Sequence, residues 1–229
     1  MAVILALETA TKLCSVAVGR DGVCLAERDL LSDKLSHAER VNVFVAEVMK
    51  EAGLAFKDLD AVAVGIGPGS YTGLRIGLSA AKGLCYALDR PIIGISTLAT
   101  LVQAALSRDG TLADILWPMI DARRMEVFTQ PFTNEGAALE EVSPMILDAS
   151  GPWMENPGVV FGDGADKAVD LWVQTARPTH LHGIVPAARY LLPLAEERFM
   201  TSRFDDLAYL VPAYGKEANV TQPRRRGTP

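Results

Sequence analysis

The chain has 229 residues, 49% of them hydrophobic and 22% charged, which is the make-up of a core-forming protein and excludes a disordered one. Its 22 Lys and Arg against 28 Asp and Glu leave a formal charge of −6, arguing against a dedicated nucleic-acid binder, because phosphate neutralisation needs clustered cations. No run nears the roughly 18 apolar residues that span a bilayer, the N-terminus lacks the marks of a signal peptide, and Cys14, Cys24 and Cys85 are too scattered for a disulfide framework or a zinc knuckle. The expectation is a soluble, reduced, cytoplasmic protein.

Val3 to Leu7 reads as a buried strand, followed by strands at Leu13 to Val18 and Val23 to Leu30 with Arg20, Asp21 and Gly22 as a hairpin turn. The period then changes. Val41, Phe44, Val45, Val48 and Met49 recur at helical spacing, so a helix is predicted from His37 to Gly53, with Ser36 as N-cap and Gly53 as stop. Ala61 to Ile66 is apolar throughout, as a parallel strand covered on both faces would be. A glycine-rich turn leads to a helix from Thr72 to Leu88, then a strand from Pro91 to Ile95 and a helix from Thr97 to Leu106. The order implies a mixed sheet, an antiparallel meander extended by parallel strands, with helices on its faces. Apolar runs resume at Ile115 to Ile120 and Val127 to Phe132, and the stretch from Gly136 to Pro157 is looser. A strand at Val159 to Phe161, a turn at Gly162 to Ala165, and helices at Asp166 to Gln174 and Pro186 to Met200 complete the chain. The boundary between a first half (residues 1–103) and a weaker, strand-rich second half (residues 104–229), whose tail is expected to dock back on the first, is placed near residue 103. The basic run Arg224 to Arg226 reads as a solvated terminus.

The segment from Gly65 to Gly77 compresses a strand end, a turn with glycines on either side of Pro68, and a helix start. Glycines allow positive φ and close backbone approach, and a helix N-terminus offers free N–H groups and partial positive charge. Two readings stay open: an anion cradle at Gly67, Gly69 and Ser70, or a tight strand-to-helix turn. The Lys-Ser/Thr pair of a P-loop is missing. Further along, Gly73, Gly77 and Ala81 fall four apart and stack on one helical face. Interior glycines cost about 1 kcal/mol each relative to alanine, so another backbone is expected close by, either within the chain or on a second subunit. The apolar stripe of Val41 and Val45 adds a candidate surface beside it, with Tyr71, Leu74 and Arg75.

Three segments carry a resemblance: ILALETATxxCSVAV at the start, GIGPGSYTGLRIG in the middle and IDARRMEVF in the second half are similar to the TsaB (YeaZ) family. The tail from Tyr209 to Tyr214 matches that family's Pro-x-Tyr-Leu-Arg ending loosely, with Gly215 and Lys216 in place of Leu-Arg. The resemblance implies an α/β actin-like, Hsp70-like and sugar-kinase (ASKHA) fold of two related halves, each a mixed sheet flanked by helices. It also implies a non-catalytic subunit in making N6-threonylcarbamoyl adenosine next to the anticodon of tRNA. Its expected partners are a TsaD-type catalytic subunit and a TsaE-type ATPase, with a homodimer when alone and tRNA met only indirectly.

The residues can be asked whether they support chemistry. The catalytic relative's His-x-x-x-His motif aligns with Thr97 and Leu101, leucine ligates nothing, and His180 and His182 lie too far along the chain to replace the pair, so no metal is expected. Glu8 and Thr9 keep part of the fold's phosphate hairpin, but Lys12 stands where an acid is expected; with Gly162 and Gly164 they form a weak nucleotide-binding set. No base is locatable for Ser70, Tyr71 or Thr72, and Cys14 sits in an apolar strand. No catalytic residue is assigned, and no cofactor is expected on the lone subunit, with ATP or ADP and Mg2+ left to the complex. Arg75 is open to three roles: pairing with Glu8, binding an anion, or reaching a partner. The competing reading is an ATP-using enzyme of the same fold, a small kinase or carbamoyl transferase; a metallopeptidase fails on the missing histidine pair.

Overall fold

The computed structural model describes residues 2–32, 37–108, 113–155, 158–175 and 177–215. Ser36, Lys216 and the arginines at 224–226 lie outside them. The first sheet is built from β1 (Val3–Glu8), β2 (Leu13–Arg20), β3 (Val23–Leu31), β4 (Ala61–Gly67) and β5 (Ile92–Ser96), in the order β3-β2-β1-β4-β5. β1, β2 and β3 pair antiparallel, while β4 and β5 run parallel to β1. The β2–β3 turn places Asp21 and Gly22 at φ of 53° and 75°, the two left-handed residues of a type I′ turn.

Alternation along these strands sorts two unlike faces. Val3, Leu5, Leu7, Val62 and Val64 point to one side, where α1 (His37–Glu51) and α2 (Tyr71–Leu88) pack with Val41, Val45, Val48, Leu78 and Ala81. The opposite side carries Ala6, Ala17, Ala61 and Ala63, small residues that admit a close helix. That helix is α7 (Leu191–Met200), from the far end of the chain, seated through Leu191, Leu192 and Ala195. α1 ends as expected at Gly53, whose N–H donates to the Lys50 carbonyl while the Leu54 N–H reaches Met49, a Schellman motif closed by a left-handed glycine.

The second sheet has the order β11-β10-β6-β7-β9, from β6 (Ile115–Asp121), β7 (Glu126–Thr129), β9 (Ser143–Ile146), β10 (Val159–Phe161) and β11 (Thr179–Leu181). The run expected at Val127 to Phe132 is two strands, β7 and β8 (Phe132–Thr133), which pair with opposite ends of β6. Pro131 stands between them and has no N–H to continue a ladder. α3 (Thr97–Arg108) covers one face with Leu98, Leu101 and Ala105. The other face meets α4 (Pro152–Glu155), α5 (Asp163–Asp166) and α6 (Val169–Thr175) around Trp117, Trp153 and Trp172, whose rings stack edge to face at 6.1 Å. Residue 103 falls inside α3. Among the described residues no helix is long and apolar enough to cross a membrane.

Candidate functional site

β4 carries the chain to Gly67, which takes a φ of +112° and precedes a cis bond to Pro68. Ser70 caps α2, its Oγ accepting the Gly73 N–H at 3.2 Å. The chain's own backbone fills the close approaches that the glycines allow. Ala10 accepts the Ser70 N–H at 2.6 Å, and a Cβ on Gly69 would meet that carbonyl inside 3.0 Å. On the other side the tail comes in: Ala213 donates to the Ile66 carbonyl at 2.7 Å, and its own carbonyl would meet a Cβ on Gly67 inside 3.0 Å. Two of the donors a helix N-terminus could offer an anion, those of Ser70 and Gly73, are thus already engaged.

The small residues further along α2 have an equally local use. Thr9 Oγ1 donates to the Gly73 carbonyl at 2.7 Å, and a Cβ on Gly73 or Gly77 would collide with Thr9. Beside it Glu8 is fully buried. Its Oε1 accepts the Ala10 N–H at 2.8 Å, while Oε2 lies against Gly65 with no hydrogen-bond partner. Burial pushes this carboxyl up to about 7, against the pull of the Ala10 and Thr9 N–H groups. Lys12 is exposed on the β1–β2 connection. Of the residues read as an interface, Val41, Val45, Gly73, Leu74, Gly77 and Ala81 are buried within the chain, and Tyr71 and Arg75 are exposed.

Arg75 turns away from Glu8. Its Nε donates to Tyr214 Oη at 2.8 Å, its guanidinium lies 4.0 Å over the Tyr71 ring, and the two tyrosine rings are 4.8 Å apart. This stack borders a groove of about 590 Å³ between α1 and α2, lined by Ala38, Asn42, Thr72, Ile76, Ser79 and Ala80 together with Tyr71, Arg75 and an edge of Val41. The sequence reading named Tyr214 only as part of the tail, without its link to Arg75, and missed Asn42. A lone tyrosine 139 positions from Arg75 carries no local signal.

In the second half, Gly162 (φ +102°) and Gly164 wrap the Met119 carbonyl closely enough that a Cβ on either would clash. Asp163 Oδ1 accepts the Asp121 N–H at 3.0 Å, and its carboxyl is pushed up to about 6, chiefly by burial. Lys167 pairs with Asp121. Arg123 and Arg124 form the tip of the β6–β7 hairpin, both at positive φ and exposed. Thr97 and Leu101 are fully buried. Burial, helped by Asp29, pushes the Cys14 thiol up to about 11, and burial does the same to Cys85, so neither is a ready thiolate.

Two sheets of this kind, with a glycine turn after β4 in one half and after β10 in the other, define the actin-like, Hsp70-like and sugar-kinase class. At the level of fold alone, a solved activator of 2-hydroxyisocaproyl-CoA dehydratase from Clostridium difficile with bound ADPNP superposes at a TM-score of 0.50 and 11% identity, over 88% of this chain and 96% of that one. YeaZ from Pseudomonas aeruginosa superposes at a TM-score of 0.79 with 29% identity, over 93% of this chain and 100% of its own. The family model described as TsaD, tRNA N6-adenosine threonylcarbamoyltransferase, matches residues 33–212. The tRNA threonylcarbamoyladenosine biosynthesis protein TsaB of Escherichia coli is 32% identical across 92% of this chain and 93% of its own length. The chain belongs to the TsaB (YeaZ) family.

Proposed function

We propose that this protein serves tRNA threonylcarbamoyladenosine biosynthesis as a subunit without chemistry of its own, docking on a TsaD-type transferase and working with a TsaE-type ATPase. The observation that carries the reading is the use made of the kinase-like turn. Ala10 and Ala213 occupy the approaches to Gly67 and Gly69, the space an anion cradle would need, and Thr9 occupies those to Gly73 and Gly77. Nucleotide and Mg2+ then act at the level of the complex. The docking surface is the α1–α2 groove, with exposed Tyr71 and Arg75 at one end and small residues Ala38, Ser79 and Ala80 along it. The same groove serves a homodimer when the transferase is absent.

Asn42→Arg and Ser79→Arg test this, since both positions are exposed groove residues outside the core. Size exclusion and sedimentation of each variant with the TsaD-type protein should show the complex lost while the variant's thermal midpoint stays unchanged. Intact homodimer and heterodimer with both arginines in place would remove the groove from the interface. Calorimetry of the lone chain with Mg-ATP addresses the ATP-using alternative, because micromolar binding with turnover is expected only of an enzyme.

A further inference from the structure

Asp166, His180 and His182 come together on the edge of the second sheet, on elements that line neither the groove nor the glycine-rich turn. His180 lies on β11, and His182 follows two residues later, so strand alternation sends both to one side. There they meet Asp166 at the end of α5. His180 Nε2 is 2.8 Å and His182 Nδ1 is 3.1 Å from the same oxygen, Asp166 Oδ1, and the three atoms lie within 4.8 Å of one another. From this geometry we infer a binding site for a zinc-class divalent cation held by Asp166, His180 and His182.

Ligand atoms on a tetrahedral ion with bonds of about 2.0–2.1 Å sit roughly 3.3 Å apart, so a cation needs a slight opening of the two observed distances and the two imidazole nitrogens, within 4.8 Å of each other, set at that spacing. The donor set of two imidazoles and one carboxylate suits Zn2+, Co2+ or Ni2+ and not Mg2+ or Ca2+, which prefer all-oxygen shells. The arrangement is held before any ion arrives. The Gly183 N–H donates to Asp166 Oδ2 at 3.3 Å and Arg108 donates to the His182 carbonyl at 2.7 Å. The His180 ring packs 6.5 Å from the Trp172 ring, centroid to centroid. Without a cation, both imidazoles converge on one carboxylate oxygen. Asp166 and His180 are largely covered, whereas the His182 side chain is 77% exposed, so the site opens to solvent on that side. A cation there keeps an open coordination position, as sites with three protein ligands do.

The test uses the full chain without a polyhistidine tag, titrated with Co2+ and then Zn2+. Trp172 reports the event, because a paramagnetic ion at this distance quenches indole fluorescence and Zn2+ restores it on displacing cobalt. One equivalent should bind with micromolar affinity or better, and His182→Ala should weaken it at least about tenfold, the scale on which even outer partners of metal ligands act. His182 is exposed, so that variant should keep the wild-type thermal midpoint; Asp166→Asn is the second variant, with the same weakening expected. Buried His37 remains in both as an internal control. Cobalt binding unchanged by His182→Ala, or no quenching of the wild-type chain at micromolar cobalt, would overturn the assignment.

Discussion

Replacing Glu8 with glutamine should flatten part of this protein's pH–stability profile. Glu8 is fully buried, and burial raises its carboxyl from 4.5 to about 7. Between those values the native state holds a proton that the unfolded chain has released. Stability from this group is therefore fully present below about 4.5 and is lost as pH rises through about 7. At about 1.4 kcal/mol per tenfold change in proton activity, the loss between pH 5 and pH 8 is about 2.5 kcal/mol. Asp163, raised to about 6, adds a fall of the same sign and roughly half the size. Urea unfolding of wild type and Glu8→Gln at pH 5, 6, 7 and 8 isolates the first term as a difference. Gln can keep the bond that Oε1 accepts from Ala10, and the cost of placing an amide N–H2 beside Gly65 is the same at every pH. The variant should thus gain about 2.5 kcal/mol on wild type from pH 5 to pH 8. A constant difference across that range would refute the picture of Glu8 as a neutral acid kept protonated by its surroundings.

Gly77→Ala should destabilise by about 1–3 kcal/mol, because the new methyl collides with Thr9 Oγ1 and strains the bond from Thr9 to the Gly73 carbonyl. Gly83→Ala in the same helix should raise stability by about 0.5–1 kcal/mol, since nothing lies within 4 Å of its Cβ position; a pair of thermal melts decides both. Asp205→Ala should cost about 1.5–3 kcal/mol and make residues 203–215 cleavable in limited proteolysis, because Asp205 Oδ2 receives the Gly94 N–H at 2.7 Å and pairs with Arg198 at 3.0 Å. A fragment ending at residue 108 should lack cooperative near-UV transitions, as it leaves uncovered the sheet face that α7 occupies.

Which parts of this architecture could be read from residues alone follows from the range of each signal. The apolar run of β1, the turn pair at Asp21 and Gly22, the helical stripe of α1 and its glycine stop are all written within a few positions, and each lies where it was expected. The break at Pro131 was also in plain view but was read through, merging two short strands. The short helix α5 was read as a turn and α6 was begun early, at Asp166 instead of Val169, because four to seven residues hold too few turns to show a period. At the site the limit is different. That glycines at 69, 73 and 77 need close company is a local fact. That the company is Ala10 and Thr9, some sixty residues earlier, is a tertiary one. That the tail docks back on the first half was expected, but its seat on Ile66 and Arg75 has no local signature.

The two cores are stitched by exchange. α3 leaves β5 of the first sheet and buries Leu98 and Leu101 in the second core, while α7 follows the second sheet and buries Leu191 and Ala195 in the first. Alanines at 6, 17, 61 and 63 make sense only against a helix that arrives from the end of the chain. The tail continues from α7 through Asp205, beside β5, to Ala213 and Tyr214 at the glycine-rich turn. Three separate parts of the chain, the β1 end, the α2 start and the tail, therefore meet at Gly67 to Arg75. The close approaches that the turn's glycines allow are filled by long-range contacts within the chain. The same contacts hold Tyr71 and Arg75 at the rim of the groove, where a partner would find them already placed.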